Sequence, residues 1–304
     1  MRYIKSNHPV YSSSMLVLLC IIWGGTFPAT KSALANTDPI HFLALRFSLA
    51  VIIVTPFILP KLKSGNTNSN ADLKPLTVML RGCWVGIFLF IGFALQTMGL
   101  HYTTASRSGF LTGMLVVMTP LLAKLFRTSR MPLTAWTGLP IAVIGVYFIA
   151  DPESGGLNLG DWLTIACAFV FALQMVALEA VARNGKETWL LTYGQMLTVC
   201  LGAVIWSFVE GNSFSIDSTG WLAVIYTGLM GSIAAVWLQT RFQPMVPAGH
   251  AALIFTAEPV FASLFAYLLL GEVWSKHGFI GAALILVAMA VSSISMVSAL
   301  RQEK

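Results

Sequence analysis

The sequence predicts an all-α integral membrane protein of ten transmembrane helices, arranged as two inverted five-helix repeats. Three observations carry that prediction: the composition, the spacing of the apolar runs, and a match of the chain to itself. Of the 304 residues, 57% are hydrophobic and 10% charged, and the mean hydropathy is +0.78. A soluble domain carries about 25% charged residues to face water. A water-soluble globule, a disordered chain and a disulfide-rich secreted domain are therefore excluded. One bilayer crossing takes about 20 apolar residues, and no polar stretch here approaches the ~50 residues of a small soluble domain.

The apolar runs predict spans at Ser14–Leu34, Pro39–Leu59, Thr77–Leu100, Thr103–Leu125 and Pro132–Ala150. A second set follows at Gly160–Ala182, Trp189–Val209, Gly220–Arg241, Ala248–Leu270 and Ser275–Ala299. The stretch from Pro60 to Leu76, rich in Asn, Ser and Lys, reads as a solvated loop. Arg2 and Lys5 before the run Met15 to Trp23, with Ala33-Leu34-Ala35 beyond it, have features of a signal peptide. Lys31 in the cleavage region and Pro28 ahead of it favour a retained first helix.

Lysine and arginine in short loops set orientation. With the N-terminus inside, 14 fall on the cytoplasmic side: Arg2, Lys5, Lys61, Lys63, Lys74, Arg81, Lys124, Arg127, Arg130, Arg183, Lys186, Arg241, Arg301 and Lys304. Only Lys31, Arg107 and Lys276 fall outside, and Arg46 lies within the second span. Both termini are expected in the cytoplasm. The net charge of +6 is thus a topology signal, and no nucleic acid is expected as a partner. Trp136, Trp162, Trp189, Trp206, Trp221 and Trp274 fall near span ends, as an interfacial belt places them. Trp23, Trp84 and Trp237 sit deeper. Gly82/Gly86 and Gly109/Gly113 have the spacing that lets helices approach closely.

The chain matches itself at a shift of 143 residues: Leu95-Gln96-Thr97 and Ala105 correspond to Leu238-Gln239-Thr240 and Ala248. Trp23 aligns with Phe171 at a shift of 148. The repeats are expected over residues 12–150 and 159–299. Five helices is an odd number, so the second repeat would enter the membrane from the opposite side. Inverted repeats of this kind build many secondary transporters, with the solute site near the midplane. No GxxxxGK[ST] phosphate loop is present, which excludes ATP-driven transport within this chain.

Several motifs together resemble the EamA-type transporters of the drug/metabolite transporter superfamily, over nearly the whole chain. They are Trp23-Gly24-Gly25-Thr26-Phe27, Leu45-Arg46-Phe47, and the segment Thr103 to Gly113 that opens the fourth span. Glu258-Pro259 and Leu270-Gly271-Glu272, in and after the ninth span, are the most specific. The resemblance implies ten helices in two inverted repeats, a bacterial inner-membrane location, and transport of amino acids or small metabolites, usually as efflux. An importer or exchanger of the same fold is the alternative. One departure stands out: where the family often closes the fourth helix with a glycine-glutamate turn, this chain has Phe126-Arg127-Thr128-Ser129-Arg130.

Ionisable groups at membrane depth are costly and therefore functional candidates. Glu258, beside Pro259 and near the middle of the ninth span, could take up protons, bind a substrate amine, or be a buried structural carboxyl. These two residues are the candidates for coupling or gating. Arg46 could bind a substrate carboxylate, pair with a carboxylate elsewhere, or snorkel outward. Gln96, Gln174, Gln195 and Gln239 offer amide donors and acceptors to a solute, or hold helices together. Trp23, Thr26, Phe171, Tyr193 and Trp237 are candidates to line an aromatic cavity. Arg107 at the mouth of the fourth span reads as a solvated helix end, and the acids of Asp151 to Asp161 as residue of the charge asymmetry.

Cys20, Cys83, Cys167 and Cys200 lie in apolar runs without CxxC spacing, and the five histidines lack HxxxH or HExxH spacing. No metal, cofactor or enzymatic constellation is expected. The expected partners are a small-molecule solute and membrane lipid. An inverted repeat already completes a pore within one chain, so a monomer is compatible with this reading.

Overall fold

The computed structural model describes residues 9–63, 74–126, 138–150, 156–182, 188–211, 215–246, 251 and 254–302. Every regular element among them is helical. The first half contains α1 (Pro9–Ala33), α2 (Pro39–Lys63), α3 (Pro75–Tyr102), α4 (Ala105–Gly113), α5 (Leu115–Leu125) and α6 (Gly138–Ala150). The second contains α7 (Leu159–Val181), α8 (Thr188–Glu210), α9 (Ser218–Tyr226), a π-helical stretch Thr227–Ala234, α10 (Ala235–Phe242), α11 (Ala257–Leu270) and α12 (Lys276–Gln302).

Start signals are local. α1, α2 and α3 each open on proline, which needs no backbone N–H partner in the first turn. Asn158 and Asp161 form a reciprocal capping box at α7. Among the described residues, seven helical stretches are long and apolar enough to cross a membrane, and three shorter apolar helices (Pro140–Ile149, Ala257–Leu270 and Lys276–Val291) accompany them. Phe57 and Phe208 are 71% and 83% exposed, an apolar exterior suited to lipid and not to water. The expected loop beyond Lys63 and the departure at Arg127 to Arg130 lie outside the described residues.

Two expected spans are interrupted. The run Thr103–Leu125 divides at Met114 into α4 and α5. In the ninth span, α11 begins only at Ala257 after a turn at Thr256, so Glu258 stands in its first turn and not near mid-helix. Proline explains the shift, because Pro259 is tolerated at the start of a helix and breaks its interior. The 143-residue shift carries the first break onto the second, with Met114 opposite Ala257. The run Gly220–Arg241 widens over Thr227–Ala234 into π turns.

Glycines bring the helices together. A Cβ on Gly109 would lie 2.7 Å from Ala262 Cβ of α11, and one on Gly86 2.9 Å from Gln195 Cα of α8. Both glycine pairs therefore serve close packing, one joining α4 to α11 and the other α3 to α8.

Helix ends collect on two faces. On one, Lys31 Nζ donates to Leu100 and His101 carbonyls at 2.8 and 3.1 Å, joining the ends of α1 and α3. Asn36 donates to Asp217 at 2.9 Å, bringing in the start of α9. Thr103 Oγ1 donates to Asp161 at 2.7 Å, joining the start of α4 to the start of α7. Glu272, after α11, accepts from Ala105 N and Ser106 N at 2.7 and 2.8 Å. On the other face, the Tyr11 and Phe242 rings meet at 5.6 Å, pairing the start of α1 with the end of α10.

Candidate functional site

A cavity lies between the two halves, with about 500 Å³ of unfilled space including its opening. α1 contributes Trp23, Thr26 and Phe27; α3 contributes Leu89, Phe93 and Gln96; Thr112 and Leu115 flank the break between α4 and α5. From the second half come Phe171, Gln174 and Met175 of α7, Gln239 of α10, Phe255, and Glu258 of α11. Seven of the expected site residues thus meet around one space: Trp23, Thr26, Gln96, Phe171, Gln174, Gln239 and Glu258.

Five of them are held by hydrogen bonds. Trp23 Nε1 donates to the Gly231 carbonyl at 3.2 Å, an acceptor in the π turns. Thr26 Oγ1 donates to the Trp23 carbonyl at 2.7 Å. Gln96 reaches Thr112 Oγ1 at 3.3 Å across the α3–α4 contact. Gln174 and Gln239 exchange amide hydrogen bonds at 3.3 and 3.4 Å, and Gln174 also donates to Gln195 at 3.0 Å. Gln195 continues to Thr240 Oγ1 at 3.1 Å. This chain of amides, buried in all three members, crosses from α7 to α8 and α10.

Glu258 is 7% exposed, and no hydrogen bond or ion pair to its carboxylate occurs among the described residues. Its place in the first turn of α11 sets the carboxylate near the positive end of the helix dipole. Pro259, next in the chain, packs against Gly113 and is not among the lining residues.

Arg46 does not snorkel. It is 2% exposed, its Nε donates to Ser232 Oγ at 2.8 Å, and its guanidinium stands 4.8 Å from the Phe93 ring centre and 5.3 Å from that of Phe47. Phe93 separates it from the cavity proper. Tyr193 and Trp237 fall outside the lining. Tyr193 shares a 2.9 Å hydrogen bond with Thr55 between α8 and α2, and Trp237 packs against Trp189 at 5.5 Å with the rings tilted by 30°. Among the described residues, no group of three or more His, Cys, Asp or Glu side chains is placed to hold a metal.

The sequence reading missed Asp161 and Glu272. Arg107 is not a solvated helix end: its Nη2 donates to the fully buried Asp161 at 2.6 Å. Glu272 supplies both oxygens to the first two N–H groups of α4, Thr104 Oγ1 takes the third at 3.2 Å, and the Thr104 carbonyl takes the fourth at 3.0 Å. The first three N–H groups of that helix, which have no partner within it, are thereby satisfied. Gly271, at φ +66°, ends α11 in the left-handed conformation that turns Glu272 toward α4. The Asn158-x-x-Asp161 spacing of a capping box was the available signal for Asp161.

An apolar exterior, seven helices of spanning length among the described residues and an aromatic and amide-lined cavity between them define a multi-pass membrane protein. The model of the EamA-like transporter family matches residues 11–150 and again residues 158–294. The chain belongs to that family, and it is a transporter. An uncharacterized transporter of Archaeoglobus fulgidus is 31% identical over 94% of this chain and 86% of its own length. The uncharacterized transporter YvbV of Bacillus subtilis is 26% identical over 84% of this chain and 87% of its own. One solved crystal structure shares the fold with a TM-score of 0.68, covering 97% of this chain and 99% of that one at 18% identity.

Proposed function

We propose that this protein is a secondary-active transporter that exports amino acids or related small metabolites across the bacterial inner membrane by alternating access. The observation that carries this reading is the cavity wall. α1, α3, α4 and α5 supply one side, and α7, α10 and α11 supply the other. A solute bound there touches both halves, so rocking one half against the other would expose it to either side.

Ten crossings in two inverted halves, over residues 12–150 and 159–299, form the frame of the proposal. The meeting of helix ends supports it: α1 and α3 end on the face where α7 and α9 begin, and α4 begins where α11 ends. This pattern supports corresponding helices of the halves running in opposite directions. The twofold match of the family model and the paired breaks at Met114 and Thr256 support the same frame. The face carrying Lys31, Arg107 and Lys276 is assigned to the outside, with both termini cytoplasmic, on the 14-to-3 division of basic residues.

In this mechanism Glu258 is the coupling group. A carboxyl on the cavity wall, with no partner among the described residues, exchanges a proton when the cavity opens, and its charge state biases which face is closed. Pro259 stands beside it in the first turn of α11. The amides of Gln96, Gln174 and Gln239 offer donors and acceptors to the solute, and Trp23, Phe27, Phe171 and Phe255 cover its apolar part.

The test is flux of radiolabelled amino acids and nucleosides in inside-out and right-side-out vesicles. Export predicts accumulation in inside-out vesicles that exceeds the level in protein-free vesicles for at least one solute. Equal, protein-independent leak across the whole panel contradicts the proposal.

A further inference from the structure

We propose that Arg46 is the anion anchor of the transport cavity, so that the solutes carried are those bearing a carboxylate. This rests on the transport reading above and names the substrate group that the site requires.

The argument begins with what a buried guanidinium needs. At membrane depth a charged side chain is costly unless it is paired or wetted, and a buried charge without a counter-charge is strongly destabilising. Of the routes open to Arg46, exposure of only 2% removes escape to an interface. Among the described residues no carboxylate pairs with it. The groups facing the guanidinium are Ser232, the Phe47 and Phe93 rings, Thr26, Gly231 and Tyr226, and none is a carboxylate. The Tyr226 hydroxyl is itself spent on the Ile22 carbonyl at 3.4 Å.

Only Nε meets a hydrogen-bond partner among the described residues, and Nη2 is buried with none. Two aromatic faces hold the cation in place while leaving its in-plane donors free. Those donors form the planar fork that matches a carboxylate with two parallel hydrogen bonds.

The unused nitrogen lies one layer from the cavity. A Cβ on Gly231 would sit 2.9 Å from Nη2 and 2.7 Å from Thr26 Cγ2, so the guanidinium and a lining residue converge on the space that this glycine leaves open. Phe93, which covers the guanidinium face, also lines the cavity and packs against Phe171 at 5.3 Å. A small displacement of Phe93 and Thr26 joins Nη2 to the space where the solute lies. Ser232 fixes the Nε edge, which leaves the Nη edge for the incoming anion.

The experiment uses matched acid and amide pairs: L-leucine with L-leucinamide, L-phenylalanine with L-phenylalaninamide, and 3-phenylpropionate with 3-phenylpropanamide. Affinity for the purified full-length protein in detergent is read from tryptophan fluorescence, since Trp23 lines the cavity. The expected result is that at least one acid binds about tenfold or more tightly than its amide. In Arg46→Gln, shown to be folded by its melting curve and elution profile, that preference falls to about parity, and Arg46→Lys restores part of it.

Wild-type protein that distinguishes no pair overturns the assignment, as does a folded Arg46→Gln that keeps the preference. Should Arg46→Gln not fold, Ser232→Ala decides, because it keeps the cation and releases its Nε edge. A reduced preference there supports the anchor, and an unchanged preference overturns it. Vesicle flux of neutral solutes with no acid–amide preference sinks the Arg46 assignment and leaves the transporter reading standing. An acid preference without flux of any panel solute does the reverse.

Discussion

Arg107 Nη2 donates to Asp161 Oδ2 at 2.6 Å, fastening the start of α4 to the start of α7. The two partners are unequal, since Asp161 is fully buried and the Arg107 side chain is 19% exposed. Asp161 also accepts from Thr103 Oγ1 at 2.7 Å and from Asn158 N at 3.0 Å, so one carboxylate ties three elements of chain together. Beside it, Glu272 clamps the same helix start from α11. The first half is thereby held to the second on this face by two carboxylates.

The asymmetry of that pair gives the first prediction. Removing Arg107 strands a buried charge, whereas removing the Asp161 charge leaves a cation that reaches water. Arg107→Gln should cost about 3 kcal/mol of stability, and Asp161→Asn about 2 kcal/mol, as read by unfolding in detergent. Asp161→Asn should also speed labelling of a cysteine placed at Thr112 by an impermeant maleimide. Equal stability of both variants to wild type would remove the latch.

Helix contact at Gly109 yields the second. The room for a Cβ there is already taken by Ala262 of α11. Gly109→Leu should push α4 from α11 and lower the melting temperature, an overpacking cost of about 1–3 kcal/mol. Adding Ala262→Gly should recover part of it. A Gly109→Leu protein with wild-type melting would place the α4–α11 contact elsewhere.

Much of this molecule was legible because the membrane reading needs only apolar run lengths, and Phe57 or Phe208 on the exterior obey the same rule as Leu19 or Phe47 in the core. The cavity was legible for a related reason: Gln96, Gln174, Gln239 and Glu258 are costly at depth, and expense marks them. Partner choice was not. Nothing along the chain tells Arg46 from a snorkelling arginine, because that depends on Ser232 and Phe93 arriving from two other segments. Tyr193 and Trp237 have the composition of cavity residues but serve helix contacts with Thr55 and Trp189. The break before Glu258 was readable in principle, since Pro259 belongs in a first turn, yet the unbroken apolar run concealed it.

Topology supplies the third prediction. Reporter fusions at both termini, and a tag in the stretch from Pro60 to Leu76, should all report the cytoplasm. Cysteines at Thr104 and Leu159 should label from outside. Termini on opposite sides would contradict the ten-helix frame and the inversion together.

The most direct measurement of the central claim concerns Glu258, the carboxyl on the cavity wall. Glu258→Gln keeps the size and hydrogen bonding of the side chain and removes its titration. In proteoliposomes with an imposed proton gradient, the account predicts that Glu258→Gln loses gradient-driven accumulation of the solute while tryptophan fluorescence still reports its binding. Accumulation at the wild-type rate, with the pH dependence of flux unchanged, would show that Glu258 is a structural carboxyl and contradict the account.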